Sequence, residues 1–258
     1  MNEDQQQQVM ELSQQDMPHD VLQLPSRGLY YLNKKAQVRV AYLNASDENV
    51  LTSMNLMESG EMFNILLDRK VLERDLRASQ MLDGDRVAVL FFLRATGYGT
   101  EFPLKLTDPI TKKPFDWVVD LSKIPVKEDL LIPDENGEME FILPTSNQIC
   151  KFRFLSGGEN NKLIKDDDDR MSKMGQNAYS TLITSRLSAQ IQEIDGIRDK
   201  GKIAQYVERM SVKDSAPLRK YIVKHEPGLD LKVEVVAPSQ ARFQAGITIS
   251  SEFFWPYL

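Results

Sequence analysis

The last third of the chain constrains the fold most. Asp214 can cap a helix by accepting the free N–H groups of the next turn, and Pro217 suits a first turn, where a missing N–H costs nothing. Leu218, Tyr221, Ile222 and His225 then share one helical face until Pro227-Gly228 stops it. Leu231, Val233 and Val235 alternate with Asp230, Lys232 and Glu234, the period of a half-buried strand, and a second strand follows to form a hairpin. The segment closes on Phe253, Phe254, Trp255 and Tyr257. Apolar bulk of this size does not stay in water. It must dock, either on the chain's own core or on a partner.

The preceding segments alternate in type. Residues 1–20 are Gln-rich and read as a disordered polar tail, with His19 as solvated surface. Residues 21–97 read as a strand plus helices. Pro25 and Gly28 make a turn, and Val38, Val40 and Tyr42 alternate. A helix capped by Ser46 follows, then one carrying Met62, Phe63, Leu66 and Leu67, then one opened by Asp83. That last helix puts Arg94 on an apolar face, as a snorkelling or paired charge. Residues 98–158 read as a β-rich module, with hairpins turning at Asp108–Pro114 and at Asn136-Gly137. Residues 159–230 read as a helical module: a charged linker from Lys165 to Arg170, then one long helix through Ile194. Residues 231–258 hold the last hairpin and the aromatic end. The order implies an α+β chain.

Charge and composition narrow the function. A net charge of −6 argues against a phosphate-backbone binder. A single cysteine, Cys150, rules out an intramolecular disulfide and suits a reducing compartment. The first residues have neither the basic nor the apolar run of a signal peptide, and no apolar run reaches membrane-spanning length. Gly97-Tyr98-Gly99 falls short of a dinucleotide fingerprint, and no Walker A loop is present. Asp166 to Asp169 favour a helix N-terminus over a cation site. Asp134–Gly137 echoes the start of a calcium loop without its later Glu. Cys150 paired with His19 or His225 could supply a nucleophile and base, but Cys150 sits in an apolar stretch where the thiol packs as an inert group. No catalytic residue and no cofactor is expected.

Two stretches correspond. Leu104–Lys112 and Val233–Ala241 each run as a strand into a proline turn that a second strand follows. That is the outline of a zinc knuckle, where two such turns deliver four ligands. The four positions here are Asp108, Thr111, Ala237 and Gln240, and Ala237 cannot ligate. The expectation is two zinc-ribbon-like hairpins without metal, with packing around Phe115, Trp117 and Phe243 in its place.

Several motifs occur in order: Leu24–Tyr31 (LPSRGLYY), Leu93–Gly99 (LRATGYG), Asp120-Leu121-Ser122, Ile194-Asp195-Gly196, Asp214-Ser215 with Leu218–Ile222, Pro227–Asp230 and Phe253–Pro256. Together, over about residues 22–257, they resemble the baseplate hub assembly proteins of T4-like contractile-tailed bacteriophages. Many members of that family carry Cys-x-x-Cys knuckles at the two hairpins, where this sequence departs from them. The resemblance implies a morphogenetic protein, either a chaperone or a minor hub component. It would act through contacts with other hub or tail proteins, in the host cytoplasm during assembly or in the virion baseplate. Nucleic acid, membrane and small-molecule substrates are not expected. Phe253, Phe254, Trp255, Tyr257, Arg94 and Arg219 are the candidate partner contacts. The alternative is a nucleic-acid-binding zinc-ribbon-like protein that has lost its metal.

Overall fold

The computed structural model describes residues 17–175 and 178–254. It is an α+β fold with four small antiparallel sheets. Strands β1 (His19–Gln23) and β2 (Gln37–Ala41) pair first. Helices α1 (Ala45–Leu51), α2 (Met54–Glu58), α3 (Met62–Lys70) and α4 (Asp83–Tyr98) follow. Next come the hairpin β3 (Glu101–Thr107) with β4 (Pro114–Asp120), then β5 (Met139–Ile142) and β6 (Ile149–Phe152). Helices α5 (Gly157–Met174) and α6 (Leu182–Gln190) lead to β7 (Ile191–Ile194), which completes the sheet β5-β6-β7. Helices α7 (Lys200–Arg209) and α8 (Val212–His225) precede the hairpin β8 (Lys232–Val236) with β9 (Arg242–Gly246). One apolar core cluster takes in residues from Leu24 to Phe254, drawn from both the N-terminal and the C-terminal halves of the chain.

Local chemistry explains the element ends. Asn44, not Ser46, caps α1, and Asp47 reaches back to the Asn44 N–H to complete a capping box. Ser156 and Glu159 do the same for α5. Ser211 caps α8, so Asp214 lies three residues inside that helix and Pro217 falls past its first turn.

Several sequence expectations change. His19 and Asp20 are not tail but the start of β1, and the rest of the tail reading, residues 1–16, lies outside the described residues. Lys165–Arg170 is not a linker. It lies within α5, where Asp167 accepts hydrogen bonds from Thr181 N and Ser180 Oγ and so ties α5 to the start of α6. The one long helix expected through Ile194 is broken: α5 ends at Met174, α6 runs separately from Leu182 to Gln190, and Ile191–Ile194 is a strand. Asn136-Gly137 does form a turn, closed by the Asp134 N–H on Glu138 O, but no strand precedes it.

Two close approaches lock the N-terminal half. The loop after β1 carries Arg27 and Gly28 at positive φ, and a Cβ on Gly28 would meet Lys34 O at 2.5 Å. The same loop is tied to α4: the buried Asp85 carboxylate accepts from Ser26 N at 2.9 Å and from Tyr31 Oη. Gly84, in the first turn of α4, abuts the Pro227-Gly228 break. A Cβ on it would lie 1.8 Å from Pro227 O.

Gly84→Ala should therefore destabilise the fold by about 2 kcal/mol or more, because main chain rather than a movable side chain must yield. Thermal unfolding would read this as a Tm several degrees lower. An unchanged Tm would show that α4 and the Pro227 turn can part freely.

Candidate interaction surfaces

The two knuckle-like hairpins meet at their turns. In the β3–β4 turn the Asp108 carboxylate accepts from its own turn, Ile110 N at 2.8 Å and Thr111 N at 3.0 Å. It also accepts from the β8–β9 turn, Ser239 N at 3.0 Å and Ser239 Oγ at 2.8 Å. Phe115 and Phe243 pack edge to face beside this joint, with ring centroids 6.4 Å apart. Asp108 is 1% exposed. Burial alone would raise its pKa. The donors from Thr111, Ser239 and Ile110 outweigh that and hold the carboxyl well below the usual range.

The four would-be ligand positions differ in exposure. Asp108 and Ala237 are buried, whereas Thr111 and Gln240 are exposed. The turns differ in length: Asp108 closes on Lys113, Ala237 on Ala241. The left-handed residue is accordingly Lys112 in the first turn and Gln240 in the second. Among the described residues no group of three or more His, Cys, Asp or Glu is placed to hold a metal ion.

The C-terminal aromatics divide. Phe253 and Phe254 are buried in the chain's own core. Phe253 packs on Phe91 and Phe102, with centroids 4.9 and 5.2 Å away, and Phe254 on Phe63 and Tyr98. Arg94, 1% exposed, fixes this seat: its Nε donates to Phe253 O at 2.9 Å, Nη1 to Gly99 O at 2.6 Å and Nη2 to Glu101 O at 3.2 Å. Phe253, Phe254 and Arg94 are thus internal packing groups, not the open partner contacts expected of them. Trp255 and Tyr257 lie outside the described residues.

Arg219 is half-buried, in a cleft of about 450 Å³ between α6 and α8. Helix α8 contributes Arg219, Ile222 and Val223 at i, i+3 and i+4, and Glu226 follows one turn on. Helix α6 contributes Ile183, Arg186 and Leu187. Arg186 Nε donates to Asn160 Oδ1 at 2.9 Å, and Asn160 Nδ2 donates to Asp83 Oδ2 at 2.7 Å. Arg219 Nε donates to Ser215 O at 3.3 Å. Burial, and then Asp83, push Glu226 up to about 7, against the pull of Lys127 and Arg186. Sequence reasoning found Arg219 but missed Arg186 and Glu226. The helical spacing Arg219–Val223–Glu226 was the signal for the second of these.

Nothing favours nucleophilic chemistry at Cys150. It is buried in β6, and burial pushes its thiol up to about 12. The histidines face backbone carbonyls: His19 Nδ1 is 2.8 Å from Met17 O, and His225 Nδ1 is 2.9 Å from Asp129 O. Among the described residues no helix is long and apolar enough to cross a membrane. No family model, curated protein or solved structure matches this chain.

Two pH responses follow. Asp108 has a lowered folded-state pKa, so its stabilisation is complete above about pH 4 and is lost as pH falls below that. Asp108→Asn should lower the Tm by about 5 °C at pH 7, with the gap closing toward pH 2. A gap that persists in acid would mean that the charge is not what holds the joint. Glu226 behaves oppositely: its raised pKa means stability is lost as pH rises from about 4.5 to about 7. Glu226→Gln should raise the Tm by a few degrees at pH 8 and leave it unchanged at pH 4. Equal effects at both pH values would contradict this.

Proposed function

We propose that this chain is an assembly protein of the central hub of a contractile bacteriophage tail baseplate, acting through protein contacts as a chaperone or minor hub component. The observation that carries this reading is where the ordered motifs fall. The LPSRG loop is held by Asp85 on α4. The LRATGYG motif supplies Arg94, which seats Phe253 of the terminal motif. Pro227-Gly228 abuts Gly84. Residues that carry the resemblance, spread over more than two hundred positions, are the ones that join distant segments. Sharing them in order is therefore a reason to share the fold as well as the pattern.

The two hairpins are read as a ribbon-like pair in which the Asp108 carboxylate does the joining that a metal does in a knuckle. The support is the four hydrogen bonds that Asp108 accepts from both turns. Purified protein carrying one zinc per chain would sink this part of the proposal. The nucleic-acid alternative has less behind it, since the net charge is −6 and two of the four knuckle positions face solvent.

Quantitative mass spectrometry of finished particles beside tail-assembly intermediates from one lysate tests the role. Stoichiometric recovery in particles makes the chain a hub component, and enrichment in intermediates alone makes it a chaperone. Absence from both overturns the proposal.

A further inference from the structure

The cleft between α6 and α8 brings two arginines beside exposed apolar side chains. Arg186 and Arg219 both line it, and each spends its Nε on a fixed acceptor, Asn160 Oδ1 and Ser215 O respectively. Their Nη nitrogens have no hydrogen-bond or ion-pair partner among the described residues. The chain has 38 acidic and 32 basic side chains, so two guanidiniums with open Nη groups in one cleft do not reflect a shortage of carboxylates. Asp83 is already engaged by Asn160, and its other oxygen lies 3.5 Å from Arg86. Ile183 and Val223 border the arginines and are 56% and 63% exposed. Leu187 and Ile222 close the floor between them.

We infer that this cleft is a docking groove for an amphipathic acidic segment of a partner protein, with a carboxylate on Arg186 and Arg219 and apolar side chains on Ile183 and Val223. Charge complementarity sets the sign of the occupant. Planar guanidiniums match carboxylates two bonds at a time. The exposed Ile183 and Val223 set its size. A free small anion would leave them in water, whereas an amphipathic helix laid in the groove covers them at i, i+3 and i+4 spacing. Glu226 opposes this only in part. Burial and Asp83 of α4 push its carboxyl up to about 7, against Lys127 of the loop before β5 and Arg186 of α6, so near that pH about half of it is neutral, and the neutral form can donate to an incoming carboxylate. Nothing in the groove's chemistry depends on the hub reading.

Fluorescence anisotropy of the full chain at pH 7 and low salt tests the groove. The probe is a labelled twelve-residue helical peptide of leucine and glutamate. Its glutamine counterpart, a leucine–lysine counterpart and free succinate serve as competitors. The expected result is saturable binding of the glutamate peptide and at least tenfold weaker competition by the other three. Arg219→Glu and Val223→Asp, each with an unchanged Tm, should each weaken the glutamate peptide at least tenfold. Val223 is largely exposed, so the second variant remains informative even if the first disturbs α8. No binding, binding indifferent to both variants, or equal competition by the glutamine or lysine peptide would overturn the proposal. Succinate competing as well as the peptide would make the cleft a small-anion site and overturn the polypeptide occupant.

Discussion

Arg94 carries a full charge into a place almost without water, and the rest of the core is arranged around that fact. A guanidinium left bare there would cost far more than the fold's entire margin of stability. Three backbone carbonyls replace its water: those of Gly99, Glu101 and Phe253. Two of these lie at the α4–β3 junction, and the third belongs to the C-terminal segment. The rings of Tyr98 and Phe102 flank the charge, with centroids 5.7 and 5.9 Å from Cζ. Burial of Arg94 therefore draws one of its acceptors from the C-terminal segment, and the seat of that segment is what gives Phe91 and Phe102 their contact with Phe253.

The same logic recurs with the sign reversed. Asp85 and Asp108 are buried carboxylates whose oxygens take N–H and O–H groups from separate stretches of chain. Such charge-assisted bonds are directional, and each is stronger than a bond between neutral groups. They matter here because three of the four sheets have only two strands, and a two-stranded hairpin is marginal alone in water. The β3–β4 and β8–β9 hairpins each present an apolar face and an exposed face. What turns two weak hairpins into one unit is Asp108 between their turns and the Phe115–Phe243 contact beside it.

How much of this the sequence displays depends on the range of the cause. Both proline-turn hairpins and the apolar face of α8 could be read directly, because period-2 and period-3.6 patterns are local. Ile191–Ile194 could not. It continues the pattern of α6 and becomes a strand only because β6 offers an edge, pairing Cys150 with Ile194. Asp167 looked like one of four interchangeable aspartates. Only the return of the chain at Ser180 and Thr181 singles it out. The aromatic end was legible as something that must be covered, but not as to what covers it, since Phe63, Phe91 and Phe102 are more than 150 residues away in sequence. In the cleft, Arg219 was named because it lies in the Leu218–Ile222 motif that carries the resemblance. Arg186 was not, because its role comes from Asn160 on another helix.

The joint at Asp108 also has a temporal meaning. Its partner Ser239 lies 131 residues further along, and the carbonyl that receives Arg94 lies 159 residues on. A ribosome adding roughly 5–20 residues per second makes β3 and β4 many seconds before β8 and β9 exist. During that interval the first hairpin has no counterpart, and Phe91 and Phe102 have no Phe253 to cover them. The growing chain thus passes through a stage in which Phe91 and Phe102 are uncovered while their closing piece is still untranslated. A fold sealed by contacts this far apart in sequence is exposed to misassociation in its nascent form rather than in its finished one.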